Sequence, residues 1–350
     1  MRSIFLLLLL YFFINSLTAQ KHDYNWVMGY EDFVNPERAW GGLIMDFNTV
    51  PPSFKKVTTH LNISKLSISC SDSSGNLLFY SNGVRINNKN HSLMENGDTL
   101  NPGDAWEKSR MWGFGNGYGA LVLPEPGRHN YYFVFHLGLI INSKFVGSVP
   151  LYYSLIDMNA NGGLGKVVQK NVVLLNDTLI NPVAVKHGNG RDWWLILGKS
   201  TTSIQYTYLI TPNGIEGPFV QEFGPVFNLY NEGPLCYVSP DGGTYIRSQM
   251  FDGIRIYDFN RCTGQMGNLR FIPKSDNLTG GIFSPDSRMA YFNNHRYLIQ
   301  VDLPALDPGA YRDTLAHFDR LGSTGPPFYT YLGWAQLGPD GKIYMNNLTT

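Results

Sequence analysis

One phrase recurs six times along this chain: a short small or apolar run, a tight polar turn, then an aromatic run. The copies read SISCSDSSGNLLFYSN, ALVLPEPGRHNYYFVF, VAVKHGNGRDWWLIL, CYVSPDGGTYIRS, GIFSPDSRMAYFN and AQLGPDGKIYMNN. Their turns fall at Gly75, Gly127, Gly190, Gly242, Ser287 and Gly341, spacings of 52, 63, 52, 45 and 54 residues. Such a period marks a repeat architecture, and each unit reads as strands, not helices. A lone hairpin cannot bury its apolar face, so the units must pack on one another. Radial packing of four-stranded sheets achieves this and leaves only short edges. The chain therefore reads as an all-β protein, a β-propeller of six blades, with seven as the alternative. The sixth copy supplies only two strands before Thr350, whereas WGGLIMDFN (Trp40 to Asn48) is strand-like and has no partner. The expectation is that this N-terminal strand pairs with the last blade and closes the ring, since an open ring exposes two edges.

The first residues concern export. Met1-Arg2 precedes the uncharged apolar run Ser3 to Leu17, and Thr18-Ala19 offers a small residue before Gln20. This is the pattern of a secretory signal peptide, residues 1–19, with cleavage after Ala19. The run is short of the ~20 residues a spanning helix needs, and no later stretch would span. Residues 20–350 are then one propeller domain, read as an exported monomer. Only 15% of residues are charged, net charge is zero, and there is no basic block. Nothing there points to nucleic acid or an anionic membrane. Aromatic residues at 14% and 37 glycines suit aromatic strands joined by tight turns.

Most motif-like patterns dissolve under spacing rules. Cys236 and Cys262 lie in one repeat with a strand between them, beyond disulfide reach, so they and Cys70 are read as free thiols. LGKST (Leu197 to Thr201) lacks the glycine of a phosphate loop, and GFGNGYG (Gly113 to Gly119) is out of register for a dinucleotide fingerprint. DMNANG (Asp157 to Gly162) matches half a calcium loop, but Val168 stands where the bidentate Glu belongs, so a hairpin turn accounts for it. No histidine has zinc spacing, and His187 reads as a turn residue. The acids of the SPDG-type turns recur at one structural position, which is turn chemistry and not a catalytic set. No metal or cofactor is expected.

The wording of many segments is similar to a known family. GLIMDFNTVPP, SDSSGNLLFYSNGVRINNKNHSLMENGDTL, ALVLPEPG, YYSLIDMNANGGLGKVVQKNVVL, VAVKHGNGRDWWLIL, the SPDG and SPDS turns and AQLGPDGKIYMNN carry the likeness. Together they resemble the N-terminal β-propeller of secreted Bacteroidetes proteins of the gliding-motility-associated, type IX secretion sorting-domain kind. The turns also resemble WD-repeat-like propellers in general. The resemblance implies a secreted or cell-surface location and no established catalysis. Such proteins continue past GPDGKIY with further modules. The expectation here is either a blade completed by N-terminal strands or a truncated chain that has lost its export address and stays periplasmic.

One loop stands out, NPGDAWEKSRMWGFGNGYGA, Asn101 to Ala120. Long loops in compact domains tend to be functional. Trp106, Trp112, Phe114 and Tyr118 among its glycines and charges are the candidate binding residues for a protein or glycan partner. The competing reading is that the rings pack over the first blade and plug the channel. Inner strands that start with small apolar residues argue against convergent catalytic groups. The chain is therefore read as a non-enzymatic interaction or adhesion scaffold, with a carbohydrate- or lactone-active propeller enzyme as the alternative.

Overall fold

A computed structural model of the chain describes residues 21–30, 41–63, 66–115, 118–142, 145–147, 149–226, 235–249, 252–273, 280–294, 297–304, 312–317 and 330–349. The signal-peptide segment lies outside the described residues. Each of the six sequence copies opens its own antiparallel sheet, giving a six-blade propeller arrangement. Blade 1 comprises Ile68–Ser71, Leu77–Ser81 and Ile86–Asn88. Blade 2 comprises Ala120–Pro124, Tyr131–Leu137, Leu151–Asp157 and Lys166–Leu175, with a side hairpin of Ile140–Asn142 and Phe145–Gly147. Blade 3 runs Val183–Lys186, Trp193–Gly198, Ile204–Thr211 and Gly214–Glu222. Blade 4 follows with Leu235–Val238, Thr244–Gln249, Gly253–Asn260 and Gln265–Pro273. Blade 5 has Gly280–Phe283, Met289–Asn293, Tyr297–Asp302 and Arg312–His317, and blade 6 has Thr330–Leu337 and Ile343–Thr349. In blades 2 to 5 every strand pairs with its sequence neighbour in the sheet.

The turns explain the regularity. In blade 4, Asp241 Oδ1 accepts from the Gly243 N–H at 2.9 Å and the Ser239 hydroxyl at 2.6 Å, while Gly242 takes φ 76°. In blade 5, Asp286 accepts from Ser284 and from the Arg288 N–H, and Ser287 adopts φ 60°. In blade 6, Asp340 accepts from the Lys342 N–H and the Tyr344 hydroxyl. Each acid is committed to its own hairpin, as the sequence predicts.

The core is a succession of layers between blades. Phe79, Ile86 and Cys70 of blade 1 pack on Tyr132, Val134 and Ile156 of blade 2. Phe135 and Leu151 of blade 2 meet Leu195, Leu197 and Tyr208 of blade 3. Trp194 and Ile196 of blade 3 meet Cys236, Tyr245 and Tyr257 of blade 4, and Ile246 and Ile254 meet Phe283 and Phe292 of blade 5. Blades 5 and 6 are joined by Asn293 Nδ2, which donates to the Leu332 and Gly333 carbonyls at 3.0 and 2.8 Å. A sheet therefore gains its stability by being covered on both faces, which only a closed ring provides to all of them.

Closure differs from the expectation in one respect. The strand Gly42–Asp46, within the segment Trp40 to Asn48, does not pair with blade 6. It pairs with Asn25–Gly29 and Ser53–Val57 in a three-stranded sheet of its own. That sheet stacks on blade 1 through Val27, Ile44, Val57 and Tyr80. On its other side Trp26 and Phe47 meet Tyr344 of blade 6 edge to face, at 5.4 and 5.6 Å between centroids. N-terminal strands do fill the seam, but by face packing, because YNWVMGY and SFKKV flank the strand closely enough to pair with it first. All three cysteines are free, Cys70 and Cys236 buried and Cys262 exposed. Among the described residues no helix is long and apolar enough to cross a membrane.

Candidate functional site: the rim loop between blades 1 and 2

The loop that leaves blade 1 contains a short helix, Asp104–Ser109, where the sequence reads as irregular. Asp104 and Glu107 lie in its first turn and Lys108 in its last, the favourable order for a helix dipole. The helix buries Ala105 and Ser109 and leaves Trp106 half-covered. The Arg85 guanidinium sits 5.1 Å from the Trp106 ring and is itself held by Asp98 at 3.0 Å.

Beyond the helix, the four candidate aromatics part company. Phe114 is 1% exposed and packs with Leu66 and Ala105. Its N–H donates to the Asn82 carbonyl at 2.9 Å. Gly83 lies beneath it, where a Cβ would come within 2.7 Å of the Phe114 Cβ. Tyr118 reaches two other blades: its centroid is 6.1 Å from that of Tyr237 on the first strand of blade 4 and 5.8 Å from that of Trp334 on blade 6. Its hydroxyl is buried in this aromatic contact, and burial raises its acidity constant. Met111 and Trp112, between the short helix and Phe114, are 61% and 60% exposed. The structure thus fastens the loop at Phe114 and Tyr118 and presents Trp112, while Trp106 is half-covered and faces Arg85.

The base of the loop is clamped by a group that sequence reasoning passed over. His136, in the aromatic strand of blade 2, is fully buried together with Ser154 and Asn101. Asn101 Nδ2 donates to the Gly83 carbonyl, so its Oδ1 is the acceptor for His136 Nδ1–H at 2.6 Å. The remaining ring nitrogen, Nε2, then accepts from the Ser154 hydroxyl at 3.0 Å. Ser154 Oγ in turn accepts the Asn171 N–H at 3.1 Å. Burial holds the imidazole neutral, its pKa lowered to about 3. Serine, histidine and asparagine stand here in the order of a nucleophile, base and orienting group. None of the three has exposed surface, so a substrate carbonyl has no approach to Oγ, and the set acts as a structural clamp. The signal in the sequence was an ionisable residue inside YYFVFHL.

Other polar groups are likewise spent on structure. Asp157 of DMNANG accepts the Tyr131 hydroxyl at 2.7 Å and the Asn159 N–H at 2.8 Å, the bonds of a hairpin turn. His187 Nδ1 accepts the Asn189 N–H, and its ring packs on Trp194. Blade 4 buries Arg247 directly across from Arg255, the first donating to the Lys199 carbonyl at 2.6 Å and the second to Asp252 at 2.9 Å. Among the described residues no group of three His, Cys, Asp or Glu side chains could hold a metal ion.

No family model and no curated protein matches the sequence. Several solved structures, propeller domains among them, are similar in outline. Hydrazine synthase from Kuenenia stuttgartiensis is 11% identical with a TM-score of 0.47, over 96% of this chain and 97% of that one. The Cps50 (Swd1) β-propeller domain of Myceliophteria thermophila is 11% identical with a TM-score of 0.45, over 96% and 99%. The periplasmic gluconolactonase of Pseudomonas aeruginosa is 10% identical with a TM-score of 0.34, over 83% and 95%. None of these likenesses carries a function to this chain.

Proposed function

We propose that this chain is an exported, non-enzymatic β-propeller of the Bacteroidetes secreted type, serving as an interaction scaffold at or outside the cell surface. Its partner, a glycan or a surface protein, docks on the rim loop between blades 1 and 2. The observation that carries this reading is the exposure of Met111 and Trp112 on a segment held on one side by the buried face of the short helix and on the other by the buried Phe114. An exposed tryptophan costs solvation, and one held in place loses little entropy on binding, which is the profile of a binding anchor. Trp106 adds a second ring, already paired with a cation. Export is supported by the N-terminal charge and apolar run of the sequence. The scaffold reading is supported by the use of the turn acids, His136 and Ser154 in internal bonds.

The test is a screen of glycans and surface proteins with the native chain and with Trp106→Ala/Trp112→Ala. Binding by the native chain that falls at least tenfold in the variant supports the loop. Equal binding by both clears the loop of the role. Turnover of a screened polysaccharide or lactone, abolished by one carboxylate substitution, overturns the non-enzymatic reading.

A further inference from the structure

The wedge between the N-terminal sheet and blade 1 holds a second candidate site, independent of the rim loop. Both sheets have three strands, and blades diverge as they run outward from the axis, so the outer part of the wedge is left open. Near the axis Val27, Ile44 and Tyr80 fill it. Further out a cavity of about 360 Å³ remains, within the size range of small-ligand sites. Ile44 and Leu77 make its apolar floor, and Lys55, Lys89 and His91 line it with Asp46, Ser53 and Asn90.

Three features of this lining point to one ligand class. Lys55 and Lys89 form no ion pair among the described residues, whereas Lys166, Lys199 and Lys342 each have a carboxylate. The lining's single acid, Asp46, is occupied: its Oδ1 accepts both the N–H and the Nδ2 of Asn48, each at 2.8 Å. Basic groups therefore face the cavity in excess, and burial, with the charge on Lys55 beside it, disfavours protonation of His91. Asn25, 6% exposed, supplies the third feature. Its Nδ2 donates to the Gly75 carbonyl at 2.7 Å and to Ser71 Oγ at 2.9 Å, which fixes the amide orientation. Its Oδ1 accepts no hydrogen bond from any described residue, leaving a rigid acceptor in the cavity wall. An anion alone would not use that acceptor or the apolar floor. A hydroxyl-bearing anion would use both.

We propose that this cleft binds an anionic sugar, its carboxylate or sulfate held by Lys55 and Lys89 and a hydroxyl donated to Asn25 Oδ1. The apolar face of the sugar ring lies on Ile44 and Leu77. Calorimetric titration of the purified protein with glucuronate, glucose 6-sulfate, glucose and inorganic sulfate tests this. The expected result is binding of both anionic sugars, weakened severalfold between 50 and 500 mM salt as screening predicts (order-of-magnitude concentrations), with glucose and inorganic sulfate at least tenfold weaker. Lys55→Gln/Lys89→Gln, both at exposed positions, should reduce anionic-sugar binding about tenfold with unchanged thermal unfolding. Trp106→Ala/Trp112→Ala should leave it unaffected, so the cleft and the rim loop fail or stand separately. Glucose binding as tightly as glucuronate, sulfate alone binding as tightly as its sugar, or no effect of the lysine pair would each overturn the proposal.

Discussion

Acidification should weaken this fold, with His136 the foremost contributor. His136 titrates near 6.5 in an unfolded chain and is held down to about 3 in the fold by complete burial. A base whose folded pKa is depressed adds stability that is fully present above the unfolded value. It is lost as pH falls, because the unfolded state binds the proton first. The window runs from about pH 6.5 to about 3. Linkage gives a loss of about 2 kcal/mol by pH 5 and about 3 kcal/mol by pH 4, relative to pH 7.5. Carboxylates also titrate at low pH, but Asp157, Asp177 and Asp192 all have lowered values in the fold and stay ionised at pH 5. The assay is urea unfolding at pH 7.5, 6.5, 5.5 and 5 for the native chain and for His136→Gln. The variant should be less stable at pH 7.5, where an amide cannot satisfy both Asn101 and Ser154. The gap should then narrow by about 2 kcal/mol on reaching pH 5. A stability difference independent of pH would refute the assignment of His136 as a buried neutral clamp.

Three further outcomes are expected. Gly242→Ala should destabilise by about 2–3 kcal/mol in thermal or urea unfolding, since φ is 76° and the new Cβ would meet Val185 Cγ2 at 2.4 Å; Ser287→Gly at the equivalent turn should change stability by less than about 1 kcal/mol, because relief at φ 60° is offset by loss of the Asp241 N–H bond to Ser287 Oγ. A thiol reagent at pH 8 should label Cys262 in the native protein and reach Cys70 and Cys236 only on unfolding, because both are buried and burial raises Cys236 to about 11. Tyr344→Ala should cost about 2–3 kcal/mol by removing the ring that Trp26 and Phe47 both meet, and no loss would mean the seam is not held there.

The sequence made the blades legible because their signals are local. An Asp-Gly pair between an apolar and an aromatic run defines a hairpin within about ten residues, and no distant contact is needed to read it. Ser287 shows the limit of that rule: the turn survives without glycine because Asp286 bonds its flanks. Closure was not legible in the same way. WGGLIMDFN has the alternation of a strand but nothing in it names a partner, and choice of partner is set by proximity of flanking strands. The rim loop was half legible. Four aromatics among glycines announce that rings must go somewhere, but exposure depends on neighbours far along the chain, Leu66 for Phe114 and Tyr237 for Tyr118. The clamp at His136 escaped because its partners Asn101 and Ser154 come from other segments, 35 and 18 residues away.

These observations connect through one structural fact. Among the described residues, blades 2 to 5 are four-stranded sheets, whereas blade 1, blade 6 and the N-terminal sheet have fewer strands. The irregular features cluster on that arc: the rim loop leaves blade 1, Tyr118 crosses from it to blade 6, and the open wedge lies between blade 1 and the N-terminal sheet. With three strands among the described residues, blade 1 leaves the space beside the N-terminal sheet open. The same shortness leaves chain length free to fold over the rim. A ring built from six equal blades would offer neither feature, so both proposed binding sites fall on the arc where the repeat is least regular. Restoring regularity there, by replacing residues 101–118 with a tight turn, would remove Tyr118 from its ring contacts with Tyr237 and Trp334.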